Sequence, residues 1–202
     1  MHITAILIAA GLSARMQGPN KLLKDISNGE RLIERTYTEL ANATIDQLIV
    51  VTGRDADAVQ SFITKTQITK PTFIHNANFE QGMTSSIQAG LAATEQTEAI
   101  MICLSDMPLL TTADYNALLA EFRSAKNYEA ILAPFKKNKK GHPVLFGSAH
   151  FKAIAEHTEM NGCSAIVKAN DAHLIKFTTS SDHYFFDIDT PENLAQFKAR
   201  VN

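Results

Sequence analysis

Short apolar runs alternate with longer segments of mixed polarity along nearly the whole chain. The runs Ile3–Ala9, Gln47–Thr52, Thr72–His75, Ala99–Leu104, Glu129–Pro134, Pro143–Phe146, Leu174–Phe177 and Tyr184–Phe186 predict strands. The segments Arg31–Asn42, Asp55–Thr64, Thr84–Thr94, Thr112–Ser124, Ala149–His157, Ser164–Ala169 and Pro191–Val201 predict helices. The first runs are rich in β-branched residues and lack in–out alternation, as expected where helices cover both faces of a parallel sheet. Thr111-Thr112-Ala113-Asp114 offers a hydroxyl cap with an acid in the first turn, and Thr190-Pro191-Glu192 puts proline where a helix begins. Strand–helix–strand order of this kind predicts an α/β fold, a three-layer α/β/α sandwich on a mostly parallel sheet. No repeat, low-complexity tract or linker interrupts it, so residues 1–202 are expected to form one domain.

Composition narrows the partners. Of 202 residues, 45% are hydrophobic and 20% charged, which is a globular balance. Nineteen basic against 21 acidic side chains leave a formal charge of −2, so no general attraction to nucleic acid or anionic lipid is expected. An anionic ligand must then be held by a few placed cations or a metal. The first strand has no basic leader before it, and no apolar stretch approaches the ~20 residues of a membrane span. A soluble, cytoplasmic protein is expected. Cys103 and Cys163 lie far apart, and Cys103 sits in an apolar run, so a buried structural thiol is expected there and no zinc site.

Five segments carry candidate chemistry. The loop Ala9-Ala10-Gly11-Leu12-Ser13-Ala14-Arg15-Met16, continuing to Lys21, follows a strand and offers free N–H groups, a hydroxyl and two cations to phosphates. It is neither a Walker loop nor the three-glycine dinucleotide fingerprint. Asp106, in Leu104-Ser105-Asp106-Met107-Pro108, ends the most apolar strand, where open α/β sheets bind ligands. Asp187-Ile188-Asp189-Thr190-Pro191 brings more acids to a strand end. Two such acids could share a hard divalent cation, or Asp189 could cap the helix that Pro191 begins. Gln81-Gly82-Met83-Thr84-Ser85-Ser86 places glycine and hydroxyls at a helix start, suited to a base or to capping. Gly141-His142-Pro143-Val144 holds a histidine between Gly and Pro. The run Lys136-Lys137-Asn138-Lys139-Lys140 reads as a solvated loop or as a cationic flap near an anionic ligand.

Taken in order, these segments resemble the MobA-like nucleotidyltransferases, most closely the molybdenum cofactor cytidylyltransferase branch, from Ile3 to the last helix. The resemblance implies a Rossmann-like nucleotidyltransferase fold. It implies that Ala9, Ala10 and Gly11 line base and ribose, that backbone from Gly11 through Leu12 to Ser13 meets the triphosphate, and that Gly82 and Ser86 touch the base. Arg15 and Lys21 would neutralise phosphate oxygens, Asp106 and Asp189 would hold Mg²⁺, and His142 with Gly141 would face the acceptor. The implied reaction moves CMP from CTP onto a molybdopterin-type acceptor with release of pyrophosphate, and a molybdoenzyme apo-protein would receive the product. Alternatives are transfer to a sugar or alditol phosphate, and a chaperone that binds the cofactor without turnover. Where related sequences carry a Gly-Asp-x-Gly-Ala-Arg-like stretch near the acceptor, this chain has Asn161-Gly162-Cys163-Ser164-Ala165-Ile166, without the acid and the arginine.

Overall fold

The computed structural model describes residues 1–16, 18–68 and 70–201. Strands β1 (Ile3–Ala9), β4 (Gln47–Thr52), β5 (Thr72–His75), β6 (Ala99–Leu104), β7 (Ile131–Lys136), β9 (Val144–Gly147) and β10 (Leu174–Thr178) form the main sheet, in the order β10-β7-β9-β6-β1-β4-β5. Every pairing is parallel except those of β9, which runs against both β6 and β7. Two short hairpins add β2 (Asp25–Ser27) to β3 (Glu30–Arg31), and β8 (Lys139–Lys140) to the end of β7.

The helices are α1 (Leu32–Ala41), α2 (Ala56–Lys65), α3 (Met83–Ala92), α4 (Thr112–Ala125), α5 (Phe151–Ala155), α6 (Ser164–Ala169) and α7 (Pro191–Val201). Strand period two divides their packing: Ile3, Ala5, Leu7 and Ala9 of β1 enter one core with α1, α2, α4 and α7. Ile6 and Ile8 enter the other core with α3, α5 and α6. This is the three-layer α/β/α sandwich, with β1 wholly buried between the layers.

Three expectations shift. The run Tyr184–Phe186 is not a strand: residues 183–185 form a 3₁₀ turn, because Thr179 and Ser181 hydroxyls accept the amides of Ser181 and His183 and coil the chain locally. The Lys136–Lys140 run is a hairpin with Lys137 in the left-handed region at its turn (φ 56°). Thr84 is no cap; its hydroxyl donates to the Glu159 carbonyl and accepts from the Gly162 amide, tying that loop to α3.

The cap of α4 is as the sequence suggests. Thr111 Oγ1 accepts from the Asp114 amide (3.3 Å), and Asp114 accepts from the Thr111 amide (2.9 Å). Burial pushes the Asp114 pKa up, but the Thr111 donors and then His183 outweigh it and hold it below its ordinary 3.8. That contribution is present above pH 3.8 and lost as pH falls through the folded value. Thr111→Ala is therefore expected to cost about 1 kcal/mol at pH 7, in a deficit that shrinks at acid pH. Urea unfolding at pH 7 and pH 3 checks this.

Candidate active site

The chain moves from β1 outward to β4 and β5, then crosses to β6 on the other side of β1. That reversal opens a crevice at the carboxyl ends of β1 and β6. A cleft of about 360 Å³ occupies it, lined by the loop after β1, the start of α3, the end of β6 and the segment before α7.

The loop after β1 is held from outside. Arg54 Nη1 donates to the Leu12 carbonyl (2.9 Å), and Asn20 Nδ2 donates to the Arg54 carbonyl (3.3 Å). Ser13 sits in the left-handed region (φ 54°), a costly conformation for a residue with a Cβ. Its Oγ accepts the Lys21 amide (3.2 Å) and donates to Asn20 Oδ1 (3.2 Å). A Cβ built on Gly11 would meet no atom within 4 Å, so packing does not require glycine there and the open space faces the cleft. Gly11→Val is thus expected to leave the melting temperature unchanged and to weaken NTP binding, by calorimetric titration, by about tenfold.

Asp106 is placed by backbone on both sides. Ser105 Oγ donates to the Ile8 carbonyl (2.7 Å), and Thr36 Oγ1 of α1 donates to the Ser105 carbonyl (3.0 Å). The Ile188 amide donates to the Asp106 carbonyl (2.8 Å), which lays residues 187–189 alongside the strand end. Ile188 turns into the core, so Asp187 and Asp189 face the cleft together. Thr190 Oγ1 accepts the Asn193 amide and caps α7, leaving Asp189 free for the site.

The charges converge tightly. Lys21 Nζ lies 2.6 Å from Asp106 Oδ2 and 2.6 Å from Asp189 Oδ1, and Arg15 Nη2 lies 2.6 Å from Asp189 Oδ2. Burial alone would lower the Lys21 pKa; Asp106 and then Asp189 outweigh it and raise it above 10.5. Burial likewise works to raise Asp189, but Lys21, then Asp187 and Arg15, hold it below 3.8. Burial and the neighbouring Asp189 and Asp106 push Asp187 up. By sign, the contribution of Lys21 is full below pH 10.5 and lost above its folded value. That of Asp189 is present above pH 3.8 and lost as pH falls through its own.

One carboxylate oxygen from each of Asp106, Asp187 and Asp189 lies within 4.8 Å of the other two, and Asp106 Oδ1 is buried with no partner among the described residues. An all-oxygen, acidic donor set with an unfilled buried acceptor fits a hard divalent cation.

Ala10, Gly11, Leu12, Ser13, Arg15, Lys21, Gly82, Ser86 and Asp106 all line this cleft. Ala9 lies in the core beneath it instead, 1% exposed. Gly82, at φ +100°, brings α3 against the Met160 backbone, where a Cβ would be 2.7 Å from the carbonyl oxygen. Ser86 Oγ accepts from Asn76 Nδ2 (3.0 Å), which fixes the hydroxyl. His142 faces a separate small cavity, and Gly141 lines neither; it packs under Tyr184 and Phe185. Sequence reasoning passed over Phe79 and Arg54, which carry no motif, quoted Met83 within the segment 81–86 without giving it a role, and assigned the metal to Asp106 and Asp189 without Asp187.

The MobA-like NTP transferase domain family matches residues 5–174. The chain belongs to the MobA-like NTP transferase family. Among its relatives, the molybdenum cofactor cytidylyltransferase of Escherichia coli (strain K12) is 28% identical over 98% of this chain and 96% of that protein. The nicotine blue oxidoreductase of Paenarthrobacter nicotinovorans is 25% identical over 95% of this chain and 94% of its own length. The fold matches that of a nucleotidyl transferase from Methanothermobacter thermautotroptrophicus with a TM-score of 0.81. That match has 19% identity and covers 100% of this chain and 99% of the other. Nucleotidyltransferases of this kind work with divalent metals, and no helix among the described residues of this family member is long and apolar enough to cross a membrane.

Proposed function

We propose that this MobA-like chain transfers CMP from CTP to the phosphate of a molybdopterin-type acceptor carrying molybdenum, and that the product passes to a molybdoenzyme apo-protein. The observation that carries the reading is the Asp106–Asp187–Asp189 cluster clamped by Lys21 and Arg15 beside the open Gly11–Ser13 backbone. An acceptor phosphate oxygen attacks the α-phosphorus, the bond to the β-phosphate oxygen breaks, and pyrophosphate leaves. The acceptor phosphate is already ionised near neutral pH, so positioning and charge stabilisation carry the catalysis rather than a protein base.

Backbone amides from Gly11 to Ser13 orient the triphosphate, and Lys21 and Arg15 take up charge on the departing pyrophosphate. Asp106, Asp187 and Asp189 would hold Mg²⁺, which when bound supplies neutralisation of the phosphate oxygens. A chaperone would need no such converged acids. A dinucleotide oxidoreductase reading lacks the glycine fingerprint: only Gly11 and Gly18 occur near the first turn.

Arg15→Ala is expected to weaken triphosphate binding more than monophosphate binding, with Arg15→Lys a partial rescue, because a point charge does not replace a planar fork. Titration with CTP and CMP reads this; equal losses would move Arg15 off the β- and γ-phosphates.

The family resemblance puts the base against Ala10, and base choice would follow from that wall. Gly53 stands behind its methyl, and Phe79 stands against Gly53, so the wall has no room to retreat from a purine. Overpacking by one methyl-sized group costs about 1–3 kcal/mol, so CTP should exceed GTP in kcat/KM by about tenfold or more. Ala10→Gly should narrow the gap. Equal use of GTP by the unmodified protein would overturn the CTP assignment.

A further inference from the structure

Beyond the nucleotide cleft lies a second cavity of about 70 Å³, and Met83 lines both. Its polar wall is Lys140, His142, Asn161, Cys163 and Ser164. Lys140 is half-buried at the base of the β7–β8 hairpin, and its ammonium has no carboxylate partner among the described residues. Among the described residues, its one side-chain hydrogen bond is a long one to Ser164 Oγ (3.4 Å). Burial, against the opposing pull of Cys163 and with the help of the Lys168 ammonium, pushes the Lys140 pKa down.

This contrasts with Lys21 and Arg15, whose charges are met by carboxylates. A partly desolvated ammonium without a counter-ion is costly unless a ligand supplies the opposite charge. His142 adds a second unmet demand, since its Nδ1 is buried with no hydrogen-bond partner among the described residues. Burial and then Lys140 push its pKa down to about 4, so at neutral pH it offers a hydrogen bond and no charge. Cys163, pushed up to about 11 by burial, is a neutral thiol in the same wall and no nucleophile.

Size restricts the occupant. A single water needs roughly 10–15 Å³ of such space, so the cavity takes a compact group of a few heavy atoms and no fused ring. We propose that Lys140, His142 and Ser164 form an oxyanion subsite for a compact anionic group of the acceptor, distinct from the phosphate that reacts beside Asp106. The anion site stands on its own geometry; its tie to the acceptor rests on the nucleotidyl-transfer reading.

The test is a nuclear magnetic resonance titration of the full chain with inorganic phosphate, and separately with glycerol 3-phosphate. Saturable shifts are expected at the amides of Lys140, Cys163 and Ser164 and at the His142 ring, with half-saturation on the order of 1 mM. Lys140→Met should abolish those shifts while leaving CTP affinity within about twofold of wild type, since the substitution lies outside the nucleotide cleft. The subsite is overturned if neither probe moves these resonances, or if Lys140→Met responds as wild type does. Shifts with inorganic phosphate alone would overturn the tie to an ester-borne acceptor group. Absence of CTP binding in the wild type would instead sink the nucleotidyl-transfer reading and leave the anion site standing.

Discussion

Asp106→Asn is expected to lower turnover by at least about a hundredfold, the loss of roughly 3 kcal/mol of transition-state stabilisation, with the fold intact. Asparagine keeps the volume and can still accept from Lys21, whose ammonium also keeps Asp189. The ion-pair energy lost is offset in part by relief of repulsion, since three carboxylates crowd within 4.8 Å. What disappears is the charge on an oxygen that is buried and otherwise unpartnered. Asp189→Asn should behave alike, with the added release of Arg15. Pyrophosphate release at saturating Mg²⁺, measured beside thermal melts, decides it; wild-type turnover in both variants would contradict a shared metal.

The second large effect falls on stability. Lys21→Met leaves Asp106 and Asp189 facing each other without their bridging ammonium. The side chains are 10%, 17% and 20% exposed, so water screens little of the penalty. Removing one partner of a buried pair costs 3–5 kcal/mol, and partial solvent access here puts the expected loss near the lower end, about 3 kcal/mol. On the proposed metal site, a divalent cation would take the place of the missing ammonium between the acids, so millimolar Mg²⁺ should raise the variant's melting temperature more than the wild type's. Triphosphate binding should fall as well. Equal stability of variant and wild type in metal-free buffer would mean that the clamp contributes nothing.

Much of this arrangement was legible because strand-end acids and the first loop are local features. Asp106 closes an apolar run and Asp187-x-Asp189 has the spacing of an extended segment, so their side chains were bound to share a side once Ile188 entered the core. The β2–β3 hairpin was readable too, and was passed over: Asn28-Gly29, at φ 49° and 89°, is the two-residue turn that right-twisted hairpins favour. What lay beyond reach were contacts made by folding alone. Arg54 belongs to the turn after β4 yet holds the Leu12 carbonyl of the first loop. Lys140 looked like one of four interchangeable lysines, but the hairpin turns it toward Ser164 while Lys136 pairs with Asp182. The aromatic run Tyr184–Phe186 carries strand propensity, and local hydroxyl-to-amide bonds overrode it. Gly141 was read as facing a ligand and instead allows the close approach of Tyr184.

The most direct test follows both products of one reaction. The protein is incubated with Mg²⁺, CTP labelled at the α-phosphate and a molybdopterin-type acceptor, and pyrophosphate and labelled acceptor are counted together. Nucleotidyl transfer at Asp106 predicts that the two appear in equal amounts, only when acceptor is present, and vanish with Asp106→Asn. Acceptor-independent pyrophosphate release, or no labelled acceptor at all, would contradict it.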